Sequence, residues 1–160
     1  MKWASVDPAK GIAGIAWWND DELAGTSCIK PRGTNGLFYV GYTVFESRIE
    51  AWKAALSGSE KVFLEKGAGG RANIIDAQGW IRGYIECLAE YQGSVTTTIN
   101  VSEWRRCIAE AFKISWPKDR DRKKALAVTL VKDKKGISVT NDEADAVLIG
   151  VAALRMRMIS

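Results

Sequence analysis

The sequence predicts an α/β domain: a mixed sheet flanked by helices. Three observations support this. The first thirty residues read as short apolar runs broken by turns, which suits an antiparallel meander. From residue 43 onward helical patterns alternate with short β-rich runs, which implies parallel pairing. The 160 residues suit one domain over 1–160, with 47% hydrophobic and 26% charged residues, an ordinary globular balance.

The elements follow in order. Lys2 to Val6 is a short strand stopped by Asp7-Pro8. Gly11 to Trp18 is a second strand, Asn19-Asp20-Asp21 a turn, and Leu23 to Ile29 a third strand. Lys30 to Gly41 is rich in Gly, Pro and Asn and reads as a loop. Val44, Ile49, Trp52 and Leu56 recur at near-helical spacing, predicting a helix over 43–57. Lys61 to Leu64 is an apolar run ending at Glu65, and Gly67 to Gly70 a flexible loop. Asn73 to Tyr91 is a long helical pattern ended by Gly93. Val95 to Ile99 is β-rich. Ser102 to Lys113, Arg120 to Val131 and Thr140 to Met158 are helical, with Pro117 separating the first two. There is no internal repeat.

Composition narrows the chemistry. There is no histidine, which removes Ser-His-Asp and Cys-His catalysis. Cys28, Cys87 and Cys107 are far apart and form no CxxC pair, so neither a zinc site nor a disulfide framework is expected. Free thiols suit a reducing cytoplasm. No signal peptide is evident, and the most apolar stretch, Ala144 to Ile159, is too short and too charged to span a bilayer. The expectation is a cytoplasmic protein with no membrane partner. The net charge is +4, but Val101 to Lys135 holds eleven basic and five acidic residues, a local +6, against −2 for the rest. Such a segment is either a polyanion-binding surface or a solvated helical face.

Four carboxylates fall at element ends. Asp7 and Glu65 each follow an apolar strand, and Asp142 and Asp145 lie three apart at a helix start, on one face. Clustered carboxylates repel one another, and a divalent cation relieves that; all-oxygen donors favour Mg²⁺ or Mn²⁺ over zinc. Each residue also has a plainer reading. Asp7-Pro8 fits a turn, Glu65 a strand end, and the acids of 142–145 a helix N-terminus. Thr140-x-x-Glu143 fits a capping box, and Glu143 is assigned mainly to that role.

These landmarks resemble the RuvC family of Holliday-junction resolvases. Val6-Asp7-Pro8-Ala9-Lys10-Gly11-Ile12-Ala13-Gly14 is similar to the family's opening strand. Val62-Phe63-Leu64-Glu65 is similar to its second acidic motif, and Ala77-Gln78-Gly79 with Arg82-Gly83 to the helix after it. Asp142-Glu143-Ala144-Asp145-Ala146 is similar to the closing Asp-x-x-Asp-Ala motif. In order, they span nearly the whole chain, with the phage-encoded branch the nearer match.

The resemblance implies a ribonuclease-H-like fold with a five-stranded mixed sheet. It also implies a homodimer cutting four-way DNA junctions by paired symmetric nicks, in a bacterial or phage-infected cell. Asp7, Glu65, Asp142 and Asp145 would hold two Mg²⁺ ions, with Mn²⁺ as substitute, about 4 Å apart. Lys123 matches a catalytic lysine before the last acidic helix, with Lys124 as its near alternative. Arg105 and Arg106 match an earlier basic contact to DNA. The family's Asp-Pro-Gly is Asp-Pro-Ala here. Lys66 to Arg71 lacks the aromatic that several resolvases place after the second acid, which leaves Lys66 and Arg71 as phosphate contacts. The alternatives are a branch nuclease acting on forks and flaps, and a non-catalytic junction-binding protein. For the seven tryptophans, which include Trp104 and Trp116, core and dimer-interface packing is the favoured role, above all for Trp17, Trp18 and Trp80, with base stacking as the alternative.

Overall fold

A computed structural model of the chain describes residues 1–9, 12–30, 49–66 and 72–159. Arg71, the loop of 31–41 and the first residues of the helix expected from 43 lie outside them. Five strands are described: β1 Lys2–Asp7, β2 Ala13–Asn19, β3 Glu22–Ile29, β4 Lys61–Lys66 and β5 Val95–Asn100. The helices are α1 Ile49–Leu56, α2 Ala72–Tyr91, α3 Val101–Phe112, α4 Arg120–Lys135 and α5 Asn141–Arg155.

The strands form one sheet in the order β3-β2-β1-β4-β5. β1 pairs antiparallel with β2 and β2 with β3, whereas β1–β4 and β4–β5 are parallel. The sequence expectation of an antiparallel start and a parallel second half therefore matches the sheet. The β2–β3 hairpin turns at Asp20, whose φ of 53° is a left-handed value that a short polar side chain tolerates.

Strand alternation sorts side chains onto two faces. In β1, Ala4 and Val6 join Ile15, Val62, Leu64, Trp52, Leu56 and Ile85 in one apolar layer beneath α1 and α2. Trp3 belongs to the opposite layer, with Ala16, Trp18, Phe63, Ile99 and the buried faces of α3, α4 and α5. There Trp3 stacks on Trp18 at 5.0 Å and meets Phe63 edge-on at 5.4 Å. This parity decides where the acids go. Asp7 lies four residues after Trp3, and Glu65 two after Phe63, so both share the α3–α5 face rather than merely projecting from the sheet edge.

Helix α5 lies unusually close to that face, and small residues allow it. The β2 positions facing it are Gly14, Ala16 and Trp18. A Cβ on Gly14 would collide with the Asp142 backbone carbonyl, and one on Gly150 would enter the Trp18 indole. A buried polar link adds register: the Ser5 hydroxyl donates to the Ala146 carbonyl at 2.7 Å and accepts from the Trp18 indole at 2.9 Å. Ser5 is fully buried, so losing either partner would leave a polar group without compensation.

Candidate carboxylate site

The site forms where β1 and β4 end and α5 begins. Val6 pairs with Leu64 across the parallel β1–β4 ladder, so Asp7 and Glu65, the next residues of each strand, are neighbours on one face. Asp7 also pairs with Gly14 across β1–β2. Because the Asp142 backbone seats directly on Gly14, the first turn of α5 is held beside Asp7. Asp145, one turn on, faces the same way as Asp142. The structure thus brings Asp7 into electrostatic range of Glu65, Asp142 and Asp145, and Asp145 into range of Glu65 and Asp142.

The environment favours the neutral forms of Asp7, Glu65 and Asp145. Burial pushes the Asp7 carboxyl well above the usual range, reinforced by Glu65, Asp145 and Asp142, and only partly offset by Lys124. Glu65 is pushed up to about 7 by burial and Asp145, against a lowering from the Trp104 hydrogen bond and Arg105. Asp145 is raised by burial, with Arg105 and Lys124 working the other way. Among the described residues, Lys124 and Arg105 thus oppose these shifts without cancelling them.

The basic residues are sorted by the fold. Lys124 Nζ sits 3.4 Å from Asp142 Oδ1, so it is the α4 lysine that contacts the acids; Lys123 is the half-buried residue before it. Arg105 lies over the rings of Trp104 (5.0 Å) and Trp116 (5.8 Å) and acts electrostatically on Glu65 and Asp145. Arg106 and Lys66 are exposed. Arg71 lies outside the described residues.

Glu143, between the two α5 acids, is handled differently. Its Oε2 accepts from the Thr140 amide at 2.8 Å and the Thr140 hydroxyl at 2.7 Å, and its Oε1 from the Thr26 hydroxyl at 3.1 Å. Burial alone would raise its carboxyl, but these bonds and Lys30 hold it below the ordinary value. It is the reciprocal cap of α5, as its spacing from Thr140 suggested.

One participant escaped the sequence reading. The Trp104 indole donates to Glu65 Oε2 at 2.8 Å. The only signal for it is a tryptophan in the first turn of a helix that follows β5 without a loop.

The donor chemistry suits a hard divalent cation: the four half-buried side chains offer carboxylate oxygens only. Among the described residues, however, no three such side chains are gathered tightly enough to hold an ion as they stand. The backbone sets the four positions, and side-chain rotation would have to close the shell. No helix among the described residues is long and apolar enough to cross a membrane.

No family model matches the chain, and no curated protein matches it in sequence. Solved structures do. Thermus thermophilus RuvC aligns with a TM-score of 0.73 at 16% identity, covering 99% of this chain and 96% of that one. T. thermophilus RuvC in complex with a Holliday junction substrate aligns with a TM-score of 0.70 at 16% identity, covering 99% and 97%. The chain has a RuvC-like, ribonuclease-H-type fold along essentially its whole length.

Proposed function

We propose that this protein is a Mg²⁺-dependent endonuclease that resolves four-way DNA junctions. The observation that carries the reading is the convergence of Asp7, Glu65, Asp142 and Asp145, with Asp7, Glu65 and Asp145 held above the usual carboxylate range, in a RuvC-like fold. That one of the similar structures holds a Holliday junction substrate supports the choice of DNA substrate.

In this reading the four acids hold Mg²⁺, or Mn²⁺ in its place, with two ions per site. Bound Mg²⁺ supplies Lewis acidity, which makes water a nucleophile near neutral pH and stabilises charge on a leaving oxygen. The protein's own groups do the rest. The strand ends and the Gly14 contact would set the backbone positions of the donors before substrate arrives, leaving side-chain rotation to close the shell. Lys124, beside Asp142, would bind a non-bridging phosphate oxygen and stabilise developing charge. Lys123, Arg106 and Lys66 add phosphate contacts that orient the duplex arms without reading sequence. Arg105 places a positive charge beside Glu65 and Asp145. Two copies related by a two-fold axis would match the symmetry of a junction and give paired nicks.

The test is cleavage by the purified protein in Mg²⁺ of a labelled mobile four-way junction, a fork, a flap and linear duplex. Paired symmetric nicks on the junction, lost in Asp7→Asn, are expected. Equal cutting of fork and flap would make it a general branch nuclease. Junction binding without cutting in Mg²⁺ or Mn²⁺ would leave a non-catalytic junction-binding protein.

A further inference from the structure

We infer that Trp104 is a positioning residue that fixes the orientation of the Glu65 carboxylate for cation binding; this rests on the metal-dependent reading above. A glutamate at a strand end has three rotatable side-chain bonds, so it is the least constrained of the four acids unless something holds it. Trp104 supplies the hold. Its indole N–H donates to Glu65 Oε2 at 2.8 Å, which leaves the carboxylate hinged at one oxygen rather than free to spin.

The donor is itself immobilised. Trp104 is 0% exposed. Trp116 meets it edge-on, with ring centres 5.8 Å apart and planes at 86°. The Trp116 indole donates to the Arg105 carbonyl at 2.8 Å, which ties the segment after α3 back onto that helix. The Arg105 guanidinium then lies against both rings, its Nε buried without a hydrogen-bond partner among the described residues while its charge acts on Glu65 and Asp145. The start of α3 is anchored too: the Asn100 amide, at the end of β5, donates to Glu103 Oε2 at 3.2 Å. Because Glu65 pairs with Ile99 across β4–β5, a helix starting at Val101 turns its fourth residue back over the end of β4. Trp104 therefore does not touch the reacting atoms; it acts through Glu65, as partners of metal-binding side chains commonly do.

Trp104→Phe tests this, because it keeps the aromatic bulk and removes the N–H. With full-length protein, calorimetric titration of Mn²⁺ should show affinity weakened about 10–100-fold, the usual cost of losing such a partner. Junction cleavage should fall at limiting Mn²⁺ and recover at high Mn²⁺, with KM for the junction unchanged. Unchanged Mn²⁺ affinity in a folded Trp104→Phe protein, while the wild type binds Mn²⁺, would overturn the inference and leave the metal reading standing. If the wild type binds no Mn²⁺, both fall. Should Trp104→Phe fail to fold, the ¹⁵N-labelled wild type decides. Titration with Mg²⁺ should shift the Trp104 indole resonance saturably and leave that of Trp3 in place, since the latter bonds to the Asp20 carbonyl at the opposite end of β1. A stationary Trp104 signal in Mg²⁺-saturated protein would overturn it.

Discussion

Glu143 and Asp145 lie two residues apart on the first turns of one helix, yet their carboxyls are driven in opposite directions. Both pay for burial. Glu143 recovers that cost from three hydrogen bonds given by Thr140 and Thr26, while Asp145 is offset only by the more distant charges of Arg105 and Lys124. A helix N-terminus welcomes an acid in either case. What separates a structural carboxylate from a reactive one is whether the fold supplies donors for it. Asp7 and Glu65 fall with Asp145: Asp7 is raised by burial and by its fellow acids, and Glu65 has one indole donor against the same pressures.

That contrast can be broken by substitution. The largest effect is expected at the uncompensated acids: Asp7→Asn or Asp145→Asn should lower junction cleavage in Mg²⁺ at least about 10²–10³-fold, measured as single-turnover rates. Gly14→Ala comes next. Its new methyl would push the Asp142 backbone off β2, costing about 1–3 kcal/mol in urea unfolding and displacing both α5 acids from Asp7, so cleavage should fall with it. A cleavage rate equal to wild type in that variant would show that the close approach of α5 does not set the site.

The third expectation concerns pH. Glu65 is raised from 4.5 to about 7, and Asp7 and Asp145 are raised too, so the folded protein keeps protons that the unfolded chain has already released. Stability contributed by these groups is therefore present at acid pH and lost as pH rises from about 4.5 through about 7, by roughly 1–3 kcal/mol. Melting in EDTA should show that fall, and Glu65→Gln should flatten it. The smallest effect belongs to the cap. Glu143→Gln should cost about 1 kcal/mol or less and leave cleavage within a factor of about two, because the amide still accepts one of the bonds. A large loss of cleavage there would move Glu143 into the site.

Much of this was legible in the sequence, for identifiable reasons. Apolar runs ending in Asp7 and Glu65 marked strand ends, and the spacing of Asp142 and Asp145 placed them on one helical face. The Thr140–Glu143 spacing gave the cap. Helix α4 runs four residues past the expected Val131, to Lys135 before Gly136, because its lysines suit a helix C-terminus although they break the apolar pattern. The rest depended on tertiary contact. Nothing local shows that Gly14 receives the Asp142 backbone, that Ser5 bonds Ala146 across 141 residues, or that Lys124 rather than Lys123 turns toward Asp142. Trp104 was read as packing, which it also does; its N–H matters because β4 and β5 are neighbours, and pairing between distant segments is not written in either segment alone.

The most direct test of the central claim is thermal unfolding of the wild type and Asp7→Asn at pH 8, in EDTA and in increasing Mg²⁺. If these acids form a cation site, the wild type should be the less stable protein in EDTA and should gain stability with Mg²⁺ as binding linkage requires, while Asp7→Asn starts higher and gains less. Equal Mg²⁺ responses, or none in either protein, would contradict the account.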